Sequence, residues 1–125
     1  MSLDRHVWPA STHVGPDGAV RIGGVDLRAL AAEHGTPAYV LDEADFRARA
    51  RGYREAFTAA FGAVGTTVDV YYAGKAFLCT AVARWAHEEG LRIDTATGGE
   101  LAVALRAGVP GADIGLHGNN KSDAE

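Results

Sequence analysis

Apolar and polar residues follow two different periods along this chain, and the change of period divides it. Between residues 43 and 61, Phe46, Ala50, Tyr53, Phe57 and Ala60 recur at spacings of four, three, four and three. That spacing lays a single apolar stripe along a helix. Asp42 stands where an N-cap carboxylate accepts from the first turn, and Gly62 follows the last periodic residues. From residue 68 the rhythm becomes strand, helix, strand, helix, strand, in VDVYYA, FLCTAVARWAHEE, LRID, GELAVALRA and ADIGLH. Gly90 and Gly108 stop the two helices. Such alternation predicts βαβ units with right-handed crossovers and a parallel sheet, an α/β fold.

The first 40 residues are less regular. Residues 1 to 18 carry Pro9, Gly15, Pro16 and Gly18 with little periodicity and read as an irregular lead-in. In AVRIGGV, Gly23 and Gly24 separate two short apolar pieces, the pattern of a tight hairpin. Asp26 caps a short helix through LRALAAEH, which Gly35 ends. Pro37 then opens AYVL, a short strand by composition. Two S/T-x-x-E patterns, Thr97 to Glu100 and Ser122 to Glu125, are capping boxes that announce helices. The second announces a helix for which almost no sequence remains. Three parallel strands are also too few to close a barrel, which takes about 250 residues. The sequence is therefore expected to be part of a longer protein.

Composition narrows the classes. With 125 residues, 47% hydrophobic and 22% charged, the chain has the balance of a globular domain. A net charge of −4 argues against a nucleic-acid surface. Arg47, Arg49, Arg51 and Arg54 cluster, but on a helix whose other positions make them a solvated face. Cys79 is the single cysteine, so no internal disulfide forms. No apolar signal segment follows Met1, and the longest uncharged run, residues 56–68, is too short to span a bilayer. A cytoplasmic location, with no membrane or nucleic-acid partner, is the expectation. The five histidines show no metal-ligand spacing, so no metal site is expected.

Parallel α/β folds gather their chemistry at the C-terminal ends of strands. Those ends carry Ala73 to Lys75, then Asp94, then His117, at intervals of about two dozen residues. An amine, a carboxylate and an imidazole are thereby brought to one face. Lysine is scarce, with only Lys75 and Lys121 in the chain. From spacing alone Lys75 has two readings. Its amine snorkels to solvent, or desolvation and neighbouring charge free it as a nucleophile that forms a Schiff base with a carbonyl. Asp94 either orients that lysine or simply begins a βα loop. Gly98 and Gly99 offer a weak anion site at a helix N-terminus. His117 to Asn120 either line the same face or form an Asx turn.

Three ordered segments, YYAGKAFLCTAVARWAHEEGL, DTATGGELAVAL and LHGNNKS, together resemble the diaminopimelate decarboxylases, and GTPAYVLDEADFRAR is similar to that family's N-terminal segment. The resemblance runs from about Val25 to Glu125. It implies the N-terminal part of a pyridoxal-phosphate-binding (β/α)8 barrel. Residues 1–40 then belong to a β-rich domain and 41–125 to the truncated barrel. It implies that Lys75 forms the Schiff base with pyridoxal 5'-phosphate, that Ala73, Asp94 and His117 lie near the cofactor, and that Glu100 has a supporting role. The implied reaction converts meso-2,6-diaminopimelate to L-lysine and CO2, in a homodimer with shared active sites. Other fold-type III decarboxylases, acting on arginine, ornithine or carboxynorspermidine, remain open, as does a non-catalytic carrier of the cofactor. Thr95 and Ala96 depart from the larger apolar residues common in relatives, and looser packing behind the strand is expected there. The chain alone, lacking most of the implied site, is expected to be inactive.

Overall fold

The computed structural model describes residues 3, 4 and 6–125; residues 1, 2 and 5 of the expected lead-in lie outside them. The chain divides into two compact units, Met1–Ala48 and Arg49–Glu125.

The first unit is built on three short antiparallel strands, β1 (His13–Val14), β2 (Val20–Ile22) and β3 (Val25–Asp26), in that order. The β2–β3 turn is the Gly23-Gly24 hairpin that the sequence predicts. Both glycines have positive φ, +58° and +81°, as a tight turn of this hand requires. Asp26 ends β3 and caps α1 (Leu27–His34), its carboxylate accepting from the Arg28 N–H at 2.8 Å. Among the described residues of this unit, Ala19 and Ile22 are the buried apolar ones. Ion pairs flank them: Arg21 and Arg28 each contact both Asp17 and Asp26. The Arg21 guanidinium holds the Asp17 carboxyl far below the usual carboxylate range, and Arg28 lowers Asp26. Residues 38–41 do not form the expected strand, and Tyr39 is 91% exposed. β-propensity marks a segment that suits a half-buried pleat; it does not supply the neighbouring strand.

Helix α2 (Glu43–Gly62) straddles the division between the units. Asp42 caps it as expected, accepting from the Asp45 N–H at 3.1 Å. Its predicted stripe is present but mostly uncovered. Ala50 is buried, whereas Tyr53 and Phe57 are 64% and 45% exposed. Among these residues Phe57 stacks on Phe61 with ring centroids 6.4 Å apart.

The second unit contains the parallel sheet β4 (Tyr71–Ala73), β5 (Arg92–Thr95) and β6 (Ile114–Leu116), with β5 central. Helix α3 (Thr80–Glu88) joins β4 to β5, and α4 (Gly98–Arg106) joins β5 to β6. The expected α/β fold is thus observed, with strands shorter than the sequence reading. Both helices stop in the same way. Gly90 and Gly108 take positive φ, and their N–H groups donate to the carbonyls of His87 and Leu105. The next residues, Leu91 and Val109, donate to Ala86 and Ala104. This is the Schellman arrangement, in which glycine relieves the left-handed position and an apolar residue follows. Leu91, Val109, Ala86 and Ala104 are all buried, so each stop also drives the returning chain into the core beside Val82, Ala83 and Ile93. Among the described residues, no helix is long and apolar enough to cross a membrane.

Candidate functional site at the strand ends

The register brings the expected residues to one edge. Ala73 pairs with Asp94 across β4 and β5, and Asp94 pairs with Gly115 across β5 and β6. Neighbouring strands lie about 4.8 Å apart, so all three ends fit within the reach of one small molecule. Asp94 and His117 are in direct contact, the carboxylate Oδ1 against the ring Nδ1. Lys75 lies in a single turn of 3₁₀ helix, Gly74–Ala76, immediately after β4, and is exposed.

That turn is held from two sides. Gly74 is buried, and a methyl group there would lie 2.9 Å from the Asp94 carbonyl oxygen and 3.2 Å from the Leu78 side chain. Only glycine lets the turn approach β5 so closely. Across the turn the Tyr72 hydroxyl donates to the Phe77 carbonyl at 2.6 Å. Burial pushes the Tyr72 phenol above its ordinary pKa, and the nearby Cys79 adds to the shift, so it stays a donor. Neither residue stands out in the sequence, because a glycine in a loop and a tyrosine in a strand have ordinary explanations.

Thr95 corrects the expectation of loose packing. It is 1% exposed, and its hydroxyl donates to the Gly115 carbonyl at 2.8 Å. Its own carbonyl accepts from the His117 N–H at 2.8 Å. A buried polar group that completes its hydrogen bonds ties strands together; Thr95 therefore fastens β5 to β6 directly below His117.

The following loop folds around the start of α4. Thr97 caps it, accepting from the Glu100 N–H at 3.2 Å, while the Glu100 carboxylate accepts from the Ala96 N–H at 2.6 Å. The predicted box thus closes one residue further back than the usual pattern. Ser122 to Glu125 forms a reciprocal turn in place of a helix, with Glu125 accepting from the Ser122 N–H and hydroxyl. Glu125 also takes the Gly98 N–H at 2.8 Å, so the glycine pair faces a carboxylate of this chain. The backbone N–H of Ser122 and its hydroxyl hold Glu125 below the usual carboxylate range. The other lysine, Lys121, is bound to the Ala96 carbonyl at 2.7 Å. Among the described residues no His, Cys, Asp or Glu group is arranged to hold a metal ion.

Comparison with known proteins shows the family of this chain. Residues 43–125 match the family described as "Pyridoxal-dependent decarboxylase, pyridoxal binding domain". The whole chain is 51% identical to the diaminopimelate decarboxylase of Mycobacterium tuberculosis, covering 26% of it. It is 47% identical over 108 residues to that of Bacillus subtilis, covering 24%. The crystal structure of diaminopimelate decarboxylase from M. jannaschii superposes with a TM-score of 0.81 at 33% identity, over 91% of this chain and 26% of that one. A second structure of the same enzyme, in co-complex with L-lysine, gives 0.80. The chain thus spans about a quarter of the length of these relatives. The residues fit such a cofactor. An aldehyde needs an amine that no carboxylate has claimed. Asp94 is engaged with His117, and Lys75 enters no ion pair among the described residues. The chain belongs to the pyridoxal-dependent decarboxylases, of whose pyridoxal-binding domain it carries a part.

Proposed function

We propose that this chain is the N-terminal part of a diaminopimelate decarboxylase, which releases CO2 from the D-centre of meso-2,6-diaminopimelate and leaves L-lysine. The observation that carries the reading is Lys75: an exposed, unclaimed amine on a braced turn at the C-terminal strand edge, beside a carboxylate–imidazole pair. Identities of 51% over the whole chain and 47% over 108 residues to named diaminopimelate decarboxylases support it. In this reading residues 1–40 belong to a β-rich domain, and 41–125 form the first part of a (β/α)8 barrel. The whole enzyme works in the cytoplasm as a homodimer with shared active sites.

Bound pyridoxal phosphate supplies the electron sink for the pair left when CO2 departs. Lys75 would hold the cofactor through its amine, and that amine is the group placed to carry a proton at this edge. The turn around Gly74 and Tyr72 fixes where that amine emerges, since about 1 Å of misplacement can cost about a hundredfold in rate. Ala73, with the smallest side chain of its strand, would leave space for the cofactor at the end of β4. Asp94 and His117 border the same space.

The test uses the full-length protein loaded with cofactor. Borohydride reduction and mass spectrometry should place a pyridoxyl group on Lys75, and Lys75→Ala should abolish both that mass and CO2 release. Normal turnover in this variant would sink the assignment. A panel of meso-diaminopimelate, arginine, ornithine and carboxynorspermidine should yield CO2 from the first alone. Covalent cofactor without turnover on any of them would mark a carrier instead. The isolated 125-residue chain should form no lysine.

A further inference from the structure

The contact between Asp94 and His117 does more than border the site. A substrate amino group arrives as an ammonium, which has no lone pair and cannot attack carbon. Something at this edge must remove a proton first. We propose that His117 is that base and that Asp94 is the positioning residue that makes it one; this rests on the reading of the site given above.

The geometry assigns the roles. Asp94 Oδ1 meets the ring at Nδ1. An ionised carboxylate only accepts, so Nδ1 carries the hydrogen and Nε2 is left as the acceptor. The His117 side chain is 75% exposed, so Nε2 is open to an incoming molecule. Three features keep the ring in place. The His117 N–H is bonded to the Thr95 carbonyl at 2.8 Å, and Thr95 is itself fastened to Gly115. Gly115 lies under the pair: a methyl group there would sit 3.4 Å from Asp94 Oδ1 and 3.5 Å from His117 Cε1. Backbone, buried hydroxyl and missing side chain all define the position of one imidazole.

In the step, an N–H bond of the substrate ammonium breaks and its proton passes to Nε2. The bonding pair stays on the substrate nitrogen as the lone pair needed for attack. The positive charge moves to the imidazolium, which faces the Asp94 carboxylate. An imidazole is suited to this because its ordinary pKa lies near neutrality. The arrangement has the logic of a histidine oriented by a carboxylate, as in serine hydrolases, although Asp94 is only half-buried.

The test uses the full-length holoenzyme labelled with 15N-histidine, the His117 signals identified by their loss in His117→Gln. Wild-type protein should show Nδ1 protonated and Nε2 as acceptor. Asp94→Ala should release the ring to the Nε2-protonated tautomer. Both variants should keep covalent cofactor on Lys75, and each should lower kcat/KM for meso-diaminopimelate by about 10²- to 10⁴-fold, the range of general base catalysis. The double variant should lose no more than the worse single one. His87→Gln, which breaks a comparable pair with Asp113 (3.0 Å) at the opposite end of the strands, should leave kcat unchanged. Wild-type kcat/KM in His117→Gln, an Nδ1-protonated ring without Asp94, or loss of covalent cofactor in either variant would each overturn the proposal. If the wild-type protein loads the cofactor but releases no CO2 from meso-diaminopimelate, the substrate reading fails, and the tautomer measurement alone decides the proposal.

Discussion

Replacing Thr95 by valine tests whether the buried hydroxyl or merely the filled volume holds β5 to β6. Valine has nearly the same shape, so no cavity opens. What is lost is the 2.8 Å bond from the hydroxyl to the Gly115 carbonyl, at a residue only 1% exposed. A net hydrogen bond is worth about 0.5–1.5 kcal/mol, which bounds the expected destabilisation. The buried apolar methyl that valine gains offsets part of this, so a net loss below about 1 kcal/mol is expected. The assay is native-state hydrogen exchange at the His117 amide, whose partner is the Thr95 carbonyl. Its protection should fall by up to about fivefold in Thr95→Val, the factor that 1 kcal/mol implies. Thr95→Ser keeps the bond and loses a methyl, so it reports the packing contribution alone. Protection in Thr95→Val equal to or above the wild-type value would refute the argument, because the threonine would then serve only as a filler.

The other expectations follow the same reasoning. Gly74→Ala should lower the melting temperature and cofactor loading together, because the added methyl meets backbone at 2.9 Å; overpacking of this kind costs about 1–3 kcal/mol. Tyr72→Phe should keep the fold while slowing attachment at Lys75, seen as slower recovery of absorbance after cofactor is added back, since it removes the 2.6 Å brace across the turn. Asp17 and Asp26 have folded pKa values below their unfolded ones, so their contribution is present above about pH 4 and lost as pH falls through the lowered values. Carboxyl NMR titration should show Asp17 returning toward its ordinary value in Arg21→Gln, and 1 M salt should shrink the difference, because the Asp17 carboxylate is exposed. Phe57→Glu should reduce light scattering by the isolated chain with little change in its stability, yet destabilise the full-length protein.

Local order was readable in the sequence wherever a residue acts through its own backbone. Asp26, Asp42 and Thr97 cap the helices they precede, and Gly90 and Gly108 stop the helices they follow. The spacing of the strand ends also foretold that Asp94 and His117 would meet. What the sequence hid depends on contacts across strands. Nothing local distinguishes Gly74 or Gly115 from any loop or strand glycine; their role appears only when the Asp94 carbonyl and carboxylate are seen against them. Thr95 misled for the same reason. Read beside its neighbours in the chain it is a polar replacement for an apolar residue, whereas its actual partner, the Gly115 carbonyl, lies 20 residues away.

The α2 stripe shows how far pattern reaches and where it stops. Helical period and caps specify a helix, and the helix formed; the same period specifies that one face be buried, and that face is open at Tyr53, Phe57 and Phe61. An amphipathic face records the need for a partner without containing it. The same holds for residues 38–41, which have strand composition but no strand. Large exposed aromatic residues in a row are unusual on a finished surface. In relatives about four times as long, there is chain enough to cover both. The contrast with α3 makes the point quantitative: Val82, Ala83 and Ala86 are 1% exposed or less against a sheet that this segment supplies itself. Phe57→Glu separates the cases. A charge placed on a face that stays wet changes stability by about 0.5 kcal/mol or less, whereas a charge placed in a covered face is uncompensated and strongly destabilising. Equal effects in the short and the full-length protein would mean that the stripe remains at the surface in both.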